Sequence, residues 1–343
     1  MSRIQEEYMA MKDRLKQELS NVAYVCITAD CWTTFRRCYI GITVLWLLPR
    51  TLERRSAVLA CRRLVERATY DILAATISEV LEEYDLQTKV TRVITDNGSN
   101  FLKAFRIFGE KSSVGEEDEE IENEGVDLSK LIDSTEEGIC LPQHHRCAAH
   151  CLNLVSTVDA SRASEDDAFS KAFTTVMRKC RCLWAKQGQS SVAAETVHKV
   201  CGVYLPTPVT TRWNSLYDSL EFLLTLRRNG KDLPALCRTL HLPPLNDPVD
   251  FNFIEEYCEV MKPVACALDV LQRDDQMFMG YLLPTLSVLQ RRLEYAIMKG
   301  MRICAPLCQA VLEGLGKRFD HLMESRELLL ASAVLPKFQL KWI

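Results

Sequence analysis

Residues 21–30 read NVAYVCITAD, a short apolar run rich in β-branched side chains that ends in an acid, and this pattern predicts a buried strand. A second, longer run of the same kind covers residues 38–48, and residues 52–64 give a third candidate strand. Residues 69–84 carry apolar side chains at helical spacing, and residues 89–95 predict a fourth strand, which a short helix follows. Three strands, a helix, a strand and another helix indicate an α/β layer rather than a helical bundle.

The composition is that of a folded chain of ordinary polarity. Of its 343 residues, 48% are hydrophobic and 26% are charged, which excludes wholesale disorder, a collagen repeat and a coiled-coil rod. No apolar run approaches the roughly 20 residues that cross a bilayer, and the charged N-terminus lacks the apolar stretch of a signal peptide. Fifteen cysteines without a CxxC pair favour buried thiols over a disulfide framework or an ordinary zinc finger. We therefore expect a protein of a reducing compartment with no membrane partner.

The charge is unevenly distributed along the chain. The formal net charge is −4, but residues 110–137 alone hold 12 acids and 2 bases. The remaining residues carry 40 bases and 34 acids, a surplus that suits contact with nucleic-acid phosphates. Because residues 110–137 have no aromatic side chain and few apolar ones, we interpret them as a poorly ordered, solvated insertion.

The second half of the sequence has a different character from the first. Apolar side chains recur at helical spacing over residues 148–186 and 213–228, and almost continuously over residues 251–323. These stripes are typical of packing faces between helices. We therefore predict that a mostly helical region follows the α/β layer.

Two aspartates, Asp30 and Asp96, close the first and the fourth predicted strands. If these strands are neighbours in the sheet, both carboxylates lie within reach of one divalent cation, and their hard oxygen atoms favour Mg²⁺ or Mn²⁺. Such an ion bridges a phosphate and activates an attacking water or hydroxyl group. The structural alternative is that Asp96 caps the following helix and that Asp30 is an acid in a turn. The two residues alone do not decide between these interpretations.

Four sequence motifs help to decide between these interpretations. They are ITADCWTT at 27–34, VITDNGSNFLKAF at 93–105, RCAAHCLNLV at 146–155 and TRWNSLYDSL at 211–220, followed by PKFQLKW at 336–342. With these words, in this order, the chain resembles the hAT-superfamily transposases and their domesticated relatives with BED-type zinc fingers. The resemblance covers most of the chain. It implies an α/β fold with an RNase H-like (retroviral-integrase-like) mixed sheet, followed by a mostly helical insertion domain.

The resemblance also implies domain limits and a metal site. Residues 1–20 form an N-terminal helix, residues 21–220 an RNase H-like domain, and residues 221–343 a helical insertion domain that is truncated at its C-terminal end. Asp30 and Asp96 become the first two carboxylates of an acidic triad, which holds two Mg²⁺ or Mn²⁺ ions for DNA strand cleavage and transfer.

Two further pairs of residues match the family. Cys147 and His150 match its CxxH element, which implies a structural role and, for His150, a part in positioning DNA. Arg212 and Trp213 match its RW pair, in which the indole stacks on an extruded base and the guanidinium contacts phosphate. A core aromatic with Arg212 laid across it stays open as an alternative for Trp213. A zinc site also stays open, with ligands from His144, His145, Cys147, His150 and Cys151.

The sequence departs from the family in one respect that bears on activity. The family's third carboxylate lies in a SERxFS-like word within a C-terminal segment that also drives dimerisation, and this sequence contains neither that word nor a BED finger. Because two of three carboxylates do not hold a two-metal geometry, we expect Asp30 and Asp96 to be vestigial and the chain to be inactive. The expected protein is a truncated or domesticated transposase-like remnant. It is nuclear and monomeric, with residual binding to DNA or to a protein.

A second hypothesis belongs to a different class of function. Here the chain is a metal-dependent DNA transposase or nuclease that uses Asp30, Asp96 and a third carboxylate from its helical half. Glu221, Glu255 and Glu256 are the candidates for this acid. The two hypotheses differ in whether a divalent ion enables the chain to nick DNA.

Overall fold

A computed structural model describes residues 3–109, 139–209, 214–273, 277–339 and 341–342. The chain divides into two compact units, Met1–His150 and Cys151–Ile343. The predicted acidic insertion at 110–137 and the predicted DNA-contacting pair Arg212 and Trp213 lie outside the described residues, so both stay predictions. No helix among the described residues has the length and apolar character needed to cross a membrane.

In the part of the first unit that the structure describes, five strands form one mixed sheet. They are β1 (Val25–Thr34), β2 (Arg37–Leu47), β3 (Arg54–Leu64), β4 (Val90–Thr95) and β5 (His144–Arg146). They lie side by side in the order β3-β2-β1-β4-β5. Strand β2 is antiparallel to β1 and β3, whereas β4 runs parallel to β1 and β5 runs parallel to β4. The prediction of an α/β layer is therefore confirmed, and the condition for a shared cation, that the first and fourth strands are neighbours, is met.

Strand β1 continues four residues beyond Asp30, which corrects the prediction that it ends there. Asp30 pairs with Gly41, and the ladder with β2 continues to the pair Thr34 and Arg37. A two-residue turn with positive φ at Phe35 (46°) and at Arg36 closes the hairpin. The apolar pattern stops at Asp30 because the strand is exposed from Asp30 onward except at Cys31, which is half-buried. The hydrogen bonds of the hairpin, rather than burial, keep this segment extended.

Helices α1 (Arg3–Ser20), α2 (Tyr70–Glu83) and α3 (Ser99–Phe108) complete the described part of the first unit. The inward faces of α2 and of strands β1 and β2 share one core, whose members include Leu73, Ile77, Val80, Ile27, Ile40, Ile42 and Val44. Burial of each such side chain stabilises the unit by about 1.5–3 kcal/mol. Ion pairs from Lys12 and Arg62 to Glu83 join α1 and β3 to the end of α2.

The described part of the second unit is helical, as the sequence predicts. Its helices are α4 (Ala148–Thr157, which begins in the first unit), α5 (Asp167–Gln189), α6 (Ser191–Cys201), α7 (Ser215–Arg228), α8 (Leu233–Thr239), α9 (Val249–Leu271), α10 (Leu282–Lys299), α11 (Ala305–Met323) and α12 (Arg326–Ala333). Two short 3₁₀ helices, Asp159–Glu165 and Met279–Tyr281, lie among them.

Two buried ion pairs join helices within the second unit. The Lys179 ammonium lies 2.6 Å from the Asp250 carboxylate, and Arg318 Nε lies 2.6 Å from Asp159 Oδ2. Because each charge has a partner, its burial is tolerated, whereas removing one partner leaves an uncompensated charge in the core.

The predicted domain limits at residues 20 and 220 stay a prediction. They describe which residues belong to an RNase H-like fold, whereas the division at residue 150 describes which residues form a compact unit.

Candidate carboxylate site

Asp30 and Asp96 lie next to each other because β1 and β4 are parallel neighbours. In the register of these strands Ala29 stands opposite Thr95, so each aspartate follows one member of the same pair. The charge of Asp96 contributes to a raised pKa of the Asp30 carboxyl, as expected for two carboxylates that share a site. The structure therefore brings together the two acids that the sequence singles out.

The pKa of Asp30 is raised above its ordinary value by several opposing effects. Desolvation is the largest cause, although part of the side chain faces solvent, and the neighbouring charge of Asp96 is the second. A hydrogen bond from the backbone N–H of Cys31 and the charge of His150 act in the opposite direction. A positive charge placed between the two carboxylates would relieve their repulsion, which is what a bound cation does.

One oxygen of Asp96 is held by the turn that leads into α3. The backbone N–H of Gly98 donates to Asp96 Oδ1 over 3.0 Å. Gly98 itself is the residue that precedes α3, and it provides no side-chain cap. Asp96 therefore stabilises the turn before the helix without occupying the capping position itself. One of the two Asp96 carboxylate oxygens is engaged by Gly98 in this way.

The CxxH element is anchored beside the same strand ends. The backbone N–H of Cys147 donates to the Thr95 carbonyl over 2.8 Å, directly before α4 begins at Ala148. His150 lies in the first turn of α4, and its charge acts on Asp30. Asp30, Asp96 and the CxxH pair thus lie close together beside the carboxyl end of β4, and their role in an active site stays a prediction.

His144 makes contacts within the fold that the sequence did not predict. Its ring stacks on Phe105 with ring centres 4.3 Å apart, and its Nε2 atom lies 2.9 Å from the Thr95 hydroxyl. Burial, followed by the charges of His145 and Arg146, lowers the pKa of His144 to about 4. Among the described residues no three His, Cys, Asp or Glu side chains converge as metal ligands, so the zinc alternative gains no geometric support.

Trp32 is a site neighbour that sequence reasoning missed. It lies two residues after Asp30 on the same strand, and its side chain therefore points to the same face of the sheet. The indole stacks on Tyr39 with ring centres 5.9 Å apart. It also lies against Gly41, where the Cβ atom of any other residue would be 2.9 Å from the ring. The alternation from Asp30 to Trp32 is the signal that could have identified it.

The donor set suits one hard cation better than two. Mg²⁺ keeps several water ligands and binds through one or two carboxylates together with substrate phosphates. Asp30 and Asp96 supply such a pair, whereas a two-metal site needs further acidic ligands that do not converge among the described residues. If an ion binds, these two residues would hold it, and it would supply charge to orient a phosphate.

The three glutamates considered as a third acid each have partners within the second unit. Glu221 pairs with Arg228 over 3.1 Å, and Glu255 pairs with Arg227 over 2.9 Å. Glu256 accepts hydrogen bonds from the backbone N–H groups of residues 302, 303 and 304. These contacts give each carboxylate a structural role.

Comparison with known proteins gives a partial similarity. No protein-family model matches the sequence. Over 98 residues the chain is 31% identical to a protein of Talaromyces stipitatus named "Putative transcriptional regulator tpeD". The match covers 28% of this chain and 12% of that protein, so the chain spans a small fraction of the relative's length.

Proposed function

We propose that this chain is a transposase-like protein of the hAT type, with an RNase H-like sheet that binds nucleic acid without cutting it. The carboxylate pair Asp30 and Asp96 takes one divalent cation, Mg²⁺ or Mn²⁺, and this ion helps to hold a phosphate. The protein acts in the nucleus by binding DNA, alone or with a protein partner.

One observation carries this proposal. Asp30 lies on β1 and Asp96 directly follows the neighbouring parallel strand β4, and desolvation followed by the charge of Asp96 raises the pKa of Asp30. They lie beside the CxxH element near the carboxyl end of β4, in a mixed sheet whose second strand is antiparallel to the first. A fold of unrelated function has no need to place two acids together, since two like charges destabilise each other.

We propose that the chain does not cut DNA because it has too few acidic ligands for two metal ions. Strand cleavage by two metal ions needs ligands for both ions, one for the attacking and one for the leaving oxygen. Among the described residues Asp30 and Asp96 have no third acidic neighbour, and Glu255 and Glu256 are engaged elsewhere. A single ion suffices to bind and orient a phosphate.

A role in the nucleus is supported by the relative's name. The partly similar protein from Talaromyces stipitatus carries the name "Putative transcriptional regulator tpeD". The surplus of bases outside residues 110–137 also suits a polyanionic partner. The pair Arg212 and Trp213 is proposed to contribute to the same binding.

The test compares binding and nicking by one preparation of the chain. A supercoiled plasmid is incubated with the protein in Mg²⁺ or Mn²⁺, and labelled DNA is titrated in parallel. We expect binding that weakens as salt rises, and no conversion of the plasmid to the nicked form. Nicking that needs the metal and disappears in the Asp30→Asn variant would instead favour the metal-dependent transposase or nuclease, with a third carboxylate still to be found.

A further inference from the structure

A basic cavity of about 670 Å³ opens in the first unit, where the β1–β2 hairpin approaches the chain between β3 and α2. Four arginines line it, two from the hairpin and two from the end of β3 and the following loop: Arg36, Arg37, Arg63 and Arg67. We call this surface the arginine cleft. Glu66 is the single acid among the described lining residues, so the cleft carries a strong positive charge.

The four arginines are available to an external anion. Within the described ranges, none of them forms an ion pair or a side-chain hydrogen bond, and all four are exposed. Their neighbour Arg62 behaves differently, because it pairs with Glu79 over 2.7 Å and with Glu83 over 2.8 Å. Strand alternation sends Arg62 to the helix-covered face and Arg63 to the opposite one. Among the described residues, no ion pair or side-chain hydrogen bond uses the charges of the cleft to stabilise the fold.

Two helices begin at the cleft, and each has a carboxylate at its start: Asp71 in the first turn of α2, and Asp96, which accepts the Gly98 N–H before α3. Thr69, the residue before α2, and Asn100, in the first turn of α3, both line the cavity. Neither helix has a side-chain hydrogen bond from its capping residue. Because these two acids already occupy the partial positive charge of the helix N-termini, the four guanidinium groups supply the charge that attracts an external anion.

A solvent-exposed aromatic side chain lies at the tip of the β1–β2 hairpin. Phe35 is 94% exposed and has a φ of 46°, in the left-handed region that bulky residues rarely adopt. It follows Asp30 by five residues, which is about 17 Å of extended strand. An exposed aromatic ring beside a row of arginines is the combination that binds bases and phosphates together in single-stranded nucleic acids.

We propose that the arginine cleft binds the phosphodiester backbone of a nucleic acid and that Phe35 stacks on one of its bases. This inference rests on the proposed function, because it assumes that the chain binds nucleic acid, and it assigns the surface that does so. Guanidinium groups bind phosphate oxygens in a bidentate geometry. The exposed Phe35 ring favours a nucleic acid over an acidic peptide, because a nucleic acid has bases that stack on it. The same hairpin carries Asp30, so a strand lying in the cleft leads toward the carboxylate pair.

The experiment measures DNA affinity by fluorescence anisotropy in EDTA, so that no divalent ion contributes. The probes are a labelled single strand of about 20 nucleotides, which exceeds a typical single-strand binding site, and the matching duplex. The cleft variant is Arg63→Ala with Arg67→Ala. Its matched control is Arg50→Ala with Arg55→Ala, which removes the same charge at the opposite end of β2 and β3. Circular dichroism and thermal melting verify that each variant is folded.

We expect the cleft variant to bind the single strand at least about tenfold more weakly than wild type and the control variant. Its slope of log affinity against log salt should fall by about 1.4, or about 0.7 for each lost phosphate contact. Phe35→Ala should weaken single-strand binding by about tenfold and leave the salt slope unchanged, because stacking releases no counterions.

Three outcomes would overturn the inference, and they are distinguishable. If wild type binds DNA and the cleft variant binds it equally well, the arginine cleft is not the surface, although the proposed function stands. If wild type binds neither probe, the proposed function itself fails. If polyglutamate displaces the single strand at equal charge concentration and Phe35→Ala has no effect, the cleft recognises acidic protein instead.

Discussion

His144 lies buried against the ring of Phe105 and shares a hydrogen bond with Thr95, so its imidazole is neutral in the folded protein at neutral pH. Burial lowers its pKa to about 4, whereas an unfolded chain has the ordinary value near 6.5. Between these values the unfolded state binds the extra proton. The folded state therefore loses stability as the pH falls from about 6.5 to about 4.

The His144→Gln variant should lose this part of the pH dependence. We expect wild type to lose up to about 3 kcal/mol of unfolding free energy over that pH range through His144, in addition to the contribution of its carboxylates. Urea unfolding at several pH values gives the difference between wild type and variant. The exposed His321 provides the control, since His321→Gln should keep the wild-type slope. A His144→Gln slope equal to that of wild type would contradict the burial of a neutral imidazole.

At the residue scale the sequence identified the acids but not their surroundings. Asp30 and Asp96 could be selected because each follows an apolar, β-branched run. The contacts of His144 and the stacking of Trp32 on Tyr39 depend on which strands become neighbours, and this is a property of the folded sheet. A local pattern contains no information about such long-range pairs.

At the scale of elements, Glu256 on α9 anchors the start of α11. Its carboxylate accepts the backbone N–H groups of Ile303 and Cys304 over 2.8 and 2.9 Å, and Cys304 provides no side-chain cap of its own. These N–H groups precede the helix and have no partner within it. The contact therefore replaces a conventional helix cap with one that comes from another helix.

Glu256→Ala should lower the free energy of unfolding by about 2 kcal/mol, because the hydrogen bonds to a charged group and the cap are lost together. Glu256→Gln, which keeps one acceptor oxygen, should cost about half as much. Glu259 on the same helix is the matched control, since its exposed pair with Lys299 is worth less than about 1 kcal/mol. Chemical denaturation measures all three. Equal costs for Glu256→Ala and Glu259→Ala would contradict the anchoring role.

Element limits were predictable where burial sets them. Helix α2 at Tyr70–Glu83 agrees with the predicted 69–84 because its apolar stripe is continuous. The extension of β1 to Thr34 was not predictable from hydrophobicity, because an exposed hairpin holds it through backbone hydrogen bonds. Strand β5 is three residues long, too short for an alternating pattern to be recognised.

At the scale of the whole molecule, the sequence predicts an α/β unit followed by a helical one, and the described residues have this arrangement. The order of strands in the sheet follows from pairings between residues far apart in the chain, such as Ala29 with Thr95. A resemblance supplied the expectation that the two aspartate-bearing strands are neighbours. The arginine cleft was not predicted, since its members come from separate segments with no motif in common.

The central claim is that Asp30 and Asp96 together hold one divalent cation, and Mn²⁺ electron paramagnetic resonance tests it most directly. Titration of the whole chain should show one bound Mn²⁺, and both Asp30→Asn and Asp96→Asn should lose it. Asp85→Asn, which changes an exposed acid in the turn after α2, should bind the ion as wild type does. Absence of bound Mn²⁺ in wild type, or one bound ion that persists in both aspartate variants, would contradict the claim.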